Sequence, residues 1–285
     1  MQRERVSDDI YVFTSDLYVQ VTASLIVTTE GAVLIDTLPY PEETRAIRHF
    51  VEDKLGASIR YVVNTHFHAD HTTGTCFFKN ATVIAHRLCR QLLDQRGRES
   101  MAITRTGASN MQELTLILPD LVFDSQLTLY LGNKTFKFWH TPGHSPDSIV
   151  CLVEDDHILF GGDTVMPIPY FVDGSFNDFV ISLRRLQGQP YETVIQGHGD
   201  VILRGEVEQH LQADLEYLLR LSDAVDQALL NPVPEKALAA IDIESCGKSR
   251  VLLNGAAQQL HRQNVFTLAD SRRINQLSQV EYPKR

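Results

Sequence analysis

The sequence predicts an α+β fold, and three observations predict it. Across residues 1–165, short β-branched and apolar runs alternate with segments of helical period. Several of these runs end in a glycine-bearing turn followed at once by His or Asp. From Glu206 onward the β character stops, and Val207, Leu211, Leu215, Leu218 and Leu219 keep a helical period.

Residues 24–27 and 32–36 are apolar strands joined by the turn Glu30-Gly31, which suits a hairpin. Pro41-Glu42-Glu43 opens a helix, with proline in the first turn and acids at the positive end of the dipole. Its apolar stripe is Ala46, Ile47, Phe50, Val51 and Leu55, and Gly56 is placed to end it. Residues 59–63 form a buried strand that runs directly into Asn64-Thr65-His66. Further strands are predicted at 82–85, 127–131, 135–139, 148–153, 157–160 and 193–196, with helices at 87–95 and 179–186. Segment 97–126 has weak periodicity and reads as a long insertion, the kind of loop that serves as a lid or pocket wall. Pro232 and Pro234 break the long helix, and a short helical tail follows Ser245-Cys246-Gly247. The predicted organisation is a main unit, 1–205, with a helical extension, 206–285, packed on it. The leucine stripe of that extension needs a partner. Leu114, Leu116, Ile117 and Leu118 of the insertion offer one, and a two-fold homodimer is the alternative.

Composition excludes several classes. Of 285 residues, 43% are hydrophobic and 22% charged, which is ordinary for a globular chain and incompatible with wholesale disorder. A net charge of −10 argues against nucleic acid as a partner, because phosphate binding draws on a basic surface. The opening Met1-Gln2-Arg3-Glu4-Arg5 leads into polar residues without an apolar signal core, and no run reaches the roughly 20 apolar residues of a membrane span. A cytoplasmic protein with no membrane attachment is expected. Cys76, Cys89, Cys151 and Cys246 are scattered and form no CxxC pair, as expected of reduced, buried thiols.

The densest chemistry lies in Thr65-His66-Phe67-His68-Ala69-Asp70-His71. In extended chain alternate residues share a side, so His66, His68 and Asp70 can converge, and His71 adds a donor from another direction. Three imidazoles and a carboxylate suit zinc or another borderline divalent ion. Three further turns present donors of the same type: Thr141-Pro142-Gly143-His144, Phe160-Gly161-Gly162-Asp163 and Gln196-Gly197-His198. Each follows a predicted strand. Together with the first cluster they form a set of seven candidate metal ligands: His66, His68, Asp70, His71, His144, Asp163 and His198. His86, His140, His157, His210 and His261 have no comparable setting and read as structural or surface residues.

An HxHxDH cluster followed in order by PGH, GGD and a final GH resembles the metallo-β-lactamase superfamily over residues 8–205. The resemblance implies a four-layered αββα sandwich with two metal ions at one edge of the paired sheets. It implies that His66, His68 and His144 hold the first ion, Asp70, His71 and His198 the second, and that Asp163 bridges them. Asp36 falls where the family places a buried carboxylate that orients a ligand histidine.

The reaction so implied is hydrolysis by a hydroxide bridging two zinc ions, with iron or manganese as alternatives. Asp70 is the candidate catalytic proton carrier. An ester, thioester, lactone or related bond in a small molecule is the expected target. Aspartate at 163, where some true β-lactamases have Cys or Ser, is similar instead to the glyoxalase II and lactonase-like branches. No Lys/Arg cluster near the tail matches a glutathione-holding site. Met166-Pro167-Ile168-Pro169-Tyr170-Phe171 is apolar and proline-stiffened, a candidate pocket wall, with Tyr170 a candidate donor to a substrate carbonyl. Two other readings are an iron-dependent oxidoreductase of the same fold and a metal-bound sensor with little turnover. No second redox domain is visible after 205, and the ligand set is complete.

Overall fold

In the computed structural model the described residues are 1–107 and 109–281. Ala108 of the insertion and 282–285 of the helical extension lie outside them. Two sheets stack face to face. The first contains β1 (Gln2–Ser7), β2 (Ile10–Thr14), β3 (Thr22–Thr28), β4 (Gly31–Ile35), β5 (Ile59–Val63), β6 (Thr82–His86) and β7 (Leu121–Phe123), adjacent in that order. The second runs in the order β13 (Ile202–Leu203), β12 (Thr193–Gln196), β11 (Ile158–Gly162), β10 (Ile149–Val153), β9 (Lys134–His140), β8 (Gln126–Leu131). β1 to β4 pair antiparallel and β4 to β7 parallel. In the second sheet only β11 and β12 run parallel.

The period of two along each strand sorts side chains into layers. On β4, Val33 and Ile35 face the second sheet, where Phe136, Phe138, Cys151 and Phe160 meet them. Ala32 and Leu34 face outward onto α1 (Pro41–His49), whose Ile47 is buried there. On the far side, Val150, Leu159 and Val194 pack against Phe179, Leu183 and Leu186 of α5 (Phe176–Leu186). Helix, sheet, sheet, helix is therefore the order of layers, the αββα sandwich expected.

Four shorter helices are α2 (Ala69–Thr72), α3 (Arg87–Leu92), α4 (Arg98–Thr104) and α7 (Pro234–Ala239). Two long helices, α6 (Val207–Leu229) and α8 (Ala257–Glu281), share the outer apolar cluster with α5 and the second sheet. Leu211, Leu215 and Leu218 of α6 are buried within the chain, joined by Tyr217, Leu221 and Val225. Leu219 is 46% exposed and lies off that face. Among the described residues no helix is long and apolar enough to cross a membrane.

The insertion differs from expectation in two ways. It contains α4 and β7, and its Leu116, Ile117 and Leu118 pack elsewhere than on α6. Leu116 and Leu118 pack with Phe67, Cys89 and Leu93, and Ile117 joins the cluster under α1. The cause is β7, which pairs with β6 at Ile84↔Leu121 and so draws the segment along the first sheet, away from the second.

Candidate metal centre

All seven candidate residues converge at one end of the sandwich, just beyond the C-terminal ends of β5, β9, β11 and β12. His66, His68, Asp70 and His71 sit where β5 gives way to α2, His144 in the turn after β9, Asp163 after β11 and His198 after β12. Gly162 has φ +47, and a β-carbon on it would lie 2.9 Å from the Thr65 side chain. Gly197 must also lack a side chain, because a β-carbon there would strike the Asp163 carboxylate.

The distances define two overlapping sets. His68 Nδ1 lies 3.0 Å from His66 Nε2 and 2.9 Å from His144 Nε2. His198 Nε2 is 3.3 Å from Asp70 Oδ2, and His71 Nε2 is 3.7 Å from the same oxygen. Asp163 stands between the sets. Its Oδ2 is 3.3 Å from His144 Nε2 and 3.5 Å from His198 Nε2, and its Oδ1 is 3.2 Å from His71 Nε2. Donor atoms of His66, His68 and His144 lie within 4.8 Å of one another, as do those of His66, His71 and Asp163, and those of Asp70, His71 and His198.

The outward nitrogen of every ring is engaged. His71 Nδ1 donates to Asp36 Oδ2 (2.8 Å), His144 Nδ1 to the Tyr170 carbonyl (2.7 Å), and His198 Nδ1 to the Val19 carbonyl (2.8 Å). His68 Nε2 donates to Asp173 Oδ2 at 3.0 Å. The Thr65 hydroxyl donates to Asp36 Oδ2 (2.7 Å) and so accepts from His66 Nδ1 at 3.1 Å. With the proton fixed on the outward nitrogen, the inward nitrogen carries a lone pair. Five lone pairs and two carboxylates thus point into one buried volume, where His71 Nε2 and Asp163 Oδ1 have no hydrogen-bond partner. Acceptors facing acceptors repel unless a cation lies between them. Nitrogen and carboxylate donors of this kind fit a divalent metal.

Where a proton rather than a cation sits among these donors, the carboxylates favour it on His71 and His198 over His66 and His144. Burial holds His66 well below the ordinary imidazole range and pushes His144 down to about 4. Burial also pulls on His71 and His198, but carboxylates outweigh it. Asp163, Asp70 and Asp36 raise His71 well above its usual value, and Asp163 with Asp70 brings His198 to about 10. Burial would raise Asp163 and Asp70, yet the facing imidazoles hold both below the carboxylate range.

Asp36 takes the orienting position expected of it. It is buried at φ +58 and accepts from the Thr65 amide (2.9 Å), the Thr65 hydroxyl and His71. The sequence reading missed Asp173 and the relay through Thr65. A carboxylate beside Gly174 offers no pattern that points to His68. It also missed Tyr18, which faces the site and whose phenol Asp70 raises above its ordinary pKa, with burial adding to the effect. Tyr170 lies in the wall as expected, although its hydroxyl donates to Gln263 Oε1 of α8 at 3.0 Å. His86 and His140 stack on each other at 4.0 Å away from the cluster, and His261 bonds to Tyr217.

A cavity of about 630 Å³ opens over the inward-facing atoms of Asp70, His144, Asp163 and His198. Its walls are mostly apolar and aromatic: Tyr18, Pro39, Tyr40, Met166, Tyr170 and Leu260. The insertion contributes Thr104 and Met111 to it, and α8 contributes Leu260 and Gln263.

A αββα sandwich with a His/Asp cluster of this order at the sheet ends defines a class of metal-site proteins. The metallo-beta-lactamase superfamily profile matches residues 18–198, and the chain belongs to that superfamily. It is similar to the thioesterase pkgB of Emericella nidulans, 28% identical over 183 residues that cover 63% of this chain and 46% of the relative. The atrochrysone carboxyl ACP thioesterase of Aspergillus terreus is 25% identical over 205 residues, 70% of this chain and 57% of that one. A beta-lactamase-like protein 2 homolog of Caenorhabditis elegans is 23% identical over 179 residues, 62% and 55% of the two chains. The chain spans about half the length of these curated relatives. Among solved structures, a metallo-beta-lactamase from Pontibacter korlensis superposes with a TM-score of 0.64 at 21% identity, covering 76% of this chain and 98% of that one. That likeness concerns the fold.

Proposed function

We propose that this chain is a metal-dependent hydrolase of small-molecule esters, thioesters or lactones, with two divalent cations, zinc by preference, at the cluster. The observation that carries the reading is the convergence of five oriented imidazole lone pairs and two carboxylates on the floor of an apolar-walled cavity. His66, His68 and His144 would hold one ion, Asp70, His71 and His198 the other, with Asp163 shared. Cations bound there supply a water acidic enough to attack at neutral pH and an electrophile for the carbonyl oxygen.

The chain's own residues do the rest. Asp36, Thr65, Asp173 and two main-chain carbonyls hold the imidazoles in one tautomer and one orientation. Asp70 lines the cavity together with Asp163 and Asp173, and would carry a proton between the attacking water and the leaving group. Tyr18, Tyr40 and Met166 exclude water from one side of the bound acyl group. Relatives named as thioesterases support the ester and thioester assignment. Four buried, unpaired cysteines suit the cytoplasm.

The test is metal analysis of purified protein together with a panel of lactones, aryl esters, thioesters, phosphodiesters and a chromogenic β-lactam. Colourless zinc-loaded protein that cleaves a carbonyl substrate, and loses that activity to a chelator, is the expected result. Fully metal-loaded protein inert across the panel would overturn the hydrolase reading. Coloured, redox-active iron would move the chain to the oxidoreductases.

A further inference from the structure

The cavity over the cluster does not end at His68. A second cavity of about 510 Å³ shares His68, Ala69, Thr73, Thr104 and Asp173 with the first and extends beneath α4. Phe67, Leu93, Met101, Ile103 and Leu116 form its apolar part, beside Thr72, Gln95, Glu99 and Ser100. Ile103 is 66% exposed, and no residue of α4 is buried, so the helix lies over this space with its apolar side chain in water. An apolar ligand arm would cover it.

The charges around this space are already paired or repel anions. Arg96 is the cation among the lining residues. It donates to Asp173 Oδ1 at 3.0 Å and lies 4.8 Å over the Phe67 ring. Asp173 in turn accepts from His68. Glu99 faces the same space as an acid. A phosphate or carboxylate entering here would meet two acidic residues and a guanidinium whose charge is engaged.

We infer that this second cavity is a subsite of the same active site that takes an uncharged alkyl or aryl arm of the substrate. The inference rests on the hydrolase reading for the identity of the ligand as substrate, and on the cavity alone for its chemistry. His68 and Asp173 form the wall between the reacting end and the arm, so chain length beyond the scissile bond sets specificity.

The experiment is kcat/KM for neutral aryl esters with acyl and alkyl arms lengthened one methylene at a time, beside acyl-CoA and ω-carboxylate esters of matched length. Burial of a methylene corresponds to ~0.8 kcal/mol, about fourfold in rate constant. In a half-open cavity roughly two- to fourfold per methylene is expected along one arm, levelling when the space is filled. Ile103→Glu and Ser100→Trp change exposed positions of the lining. Each should lower the ratio of long-chain to short-chain rates at least tenfold. Hydrolysis that ignores the length of both arms, or that prefers the charged arms, would overturn the subsite and leave the hydrolase standing. An unchanged ratio in both variants would overturn it as well. Calorimetric titration with neutral N-alkylacetamides reads the cavity without turnover. Affinity that rises with chain length and falls in Ile103→Glu upholds the apolar subsite even if no ester is cleaved, in which case only the hydrolase reading fails. Affinity indifferent to length overturns it.

Discussion

Replacing Asp173 with alanine tests how far one half-exposed carboxylate governs metal binding at the proposed set His66, His68 and His144. Its Oδ2 accepts from His68 Nε2 at 3.0 Å and its Oδ1 from Arg96 at 3.0 Å. The His68 hydrogen bond first, and Arg96 after it, hold its pKa well below the carboxylate range. Loss of a group that orients a metal-binding histidine costs about 10- to 100-fold in metal affinity. The Asp173 side chain is 36% exposed, so water can take over as acceptor, and the effect belongs near tenfold, ~1.4 kcal/mol. Buried Asp36, with three donors on it, would lie at or beyond the other end. A competitive titration against a chromophoric chelator should show the first ion weakened about tenfold in Asp173→Ala and the second within a factor of about three. Asp173→Asn keeps an oxygen acceptor for His68 and should restore most of the loss. Wild-type affinity in Asp173→Ala, or equal loss from both sites, would refute the orienting role. An Asn variant as weak as the Ala variant would show that charge, and not tautomer, matters.

His198→Ala should weaken the ion held with Asp70 and His71 more than the one held by His66, His68 and His144. Equal loss of both ions in the same titration would count against the division of ligands. Asn264 of α8 is fully buried, donates to the Pro169 carbonyl (2.7 Å) and to Tyr217 Oη (3.1 Å), and accepts from the Phe171 amide (3.2 Å). Asn264→Ala strands two main-chain groups, at ~1–3 kcal/mol each, so urea unfolding should reveal a loss of about 3 kcal/mol. A loss under about 1 kcal/mol would mean that the site-bearing segment 169–171 is not clamped by α8. His210 is held below its ordinary pKa by burial, with Asp214, Lys248 and Glu206 facing it, and its Nε2 is unpartnered. The unfolded chain therefore takes up a proton below about pH 6.5 that the folded chain resists, and stability falls as the medium is acidified. His210→Gln should lose less stability than wild type between pH 7 and pH 5, and identical pH slopes would refute the assignment.

The cluster residues were legible because each follows a strand, where the sequence changes abruptly from apolar residues to His or Asp, with a glycine before His144, Asp163 and His198. β5 and β12 fall on the predicted residues, and most other strands begin or end within a residue or two. β1 was not legible. Gln2-Arg3-Glu4-Arg5 carries no apolar alternation, since as an edge strand it is mostly exposed and is held by main-chain pairing with β2. α4 was missed for a related reason, because a helix with no buried residue writes no apolar stripe. The partner of the α6 stripe was misplaced because periodicity says that a face is buried and not against what. Here α5 and the second sheet bury it.

The orientation of the imidazoles was out of reach of any motif. Two of the five outward nitrogens are held by the main-chain carbonyls of Val19 and Tyr170, and every residue carries a carbonyl, so no side-chain pattern marks them. Val19 approaches His198 because the two sheets join there. The Thr22 amide donates to the Gly197 carbonyl at 2.8 Å, the Thr22 hydroxyl to the Gln196 carbonyl at 2.6 Å, and Val21 bridges His198. Tyr170 is fixed from the other side by Asn264 and Gln263 of α8. The His144 orientation therefore depends on the C-terminal helix and that of His198 on the seam between the sheets. Changes far from the cluster should separate the two: loosening α8 disturbs His144 first, and loosening the β3–β12 seam disturbs His198 first.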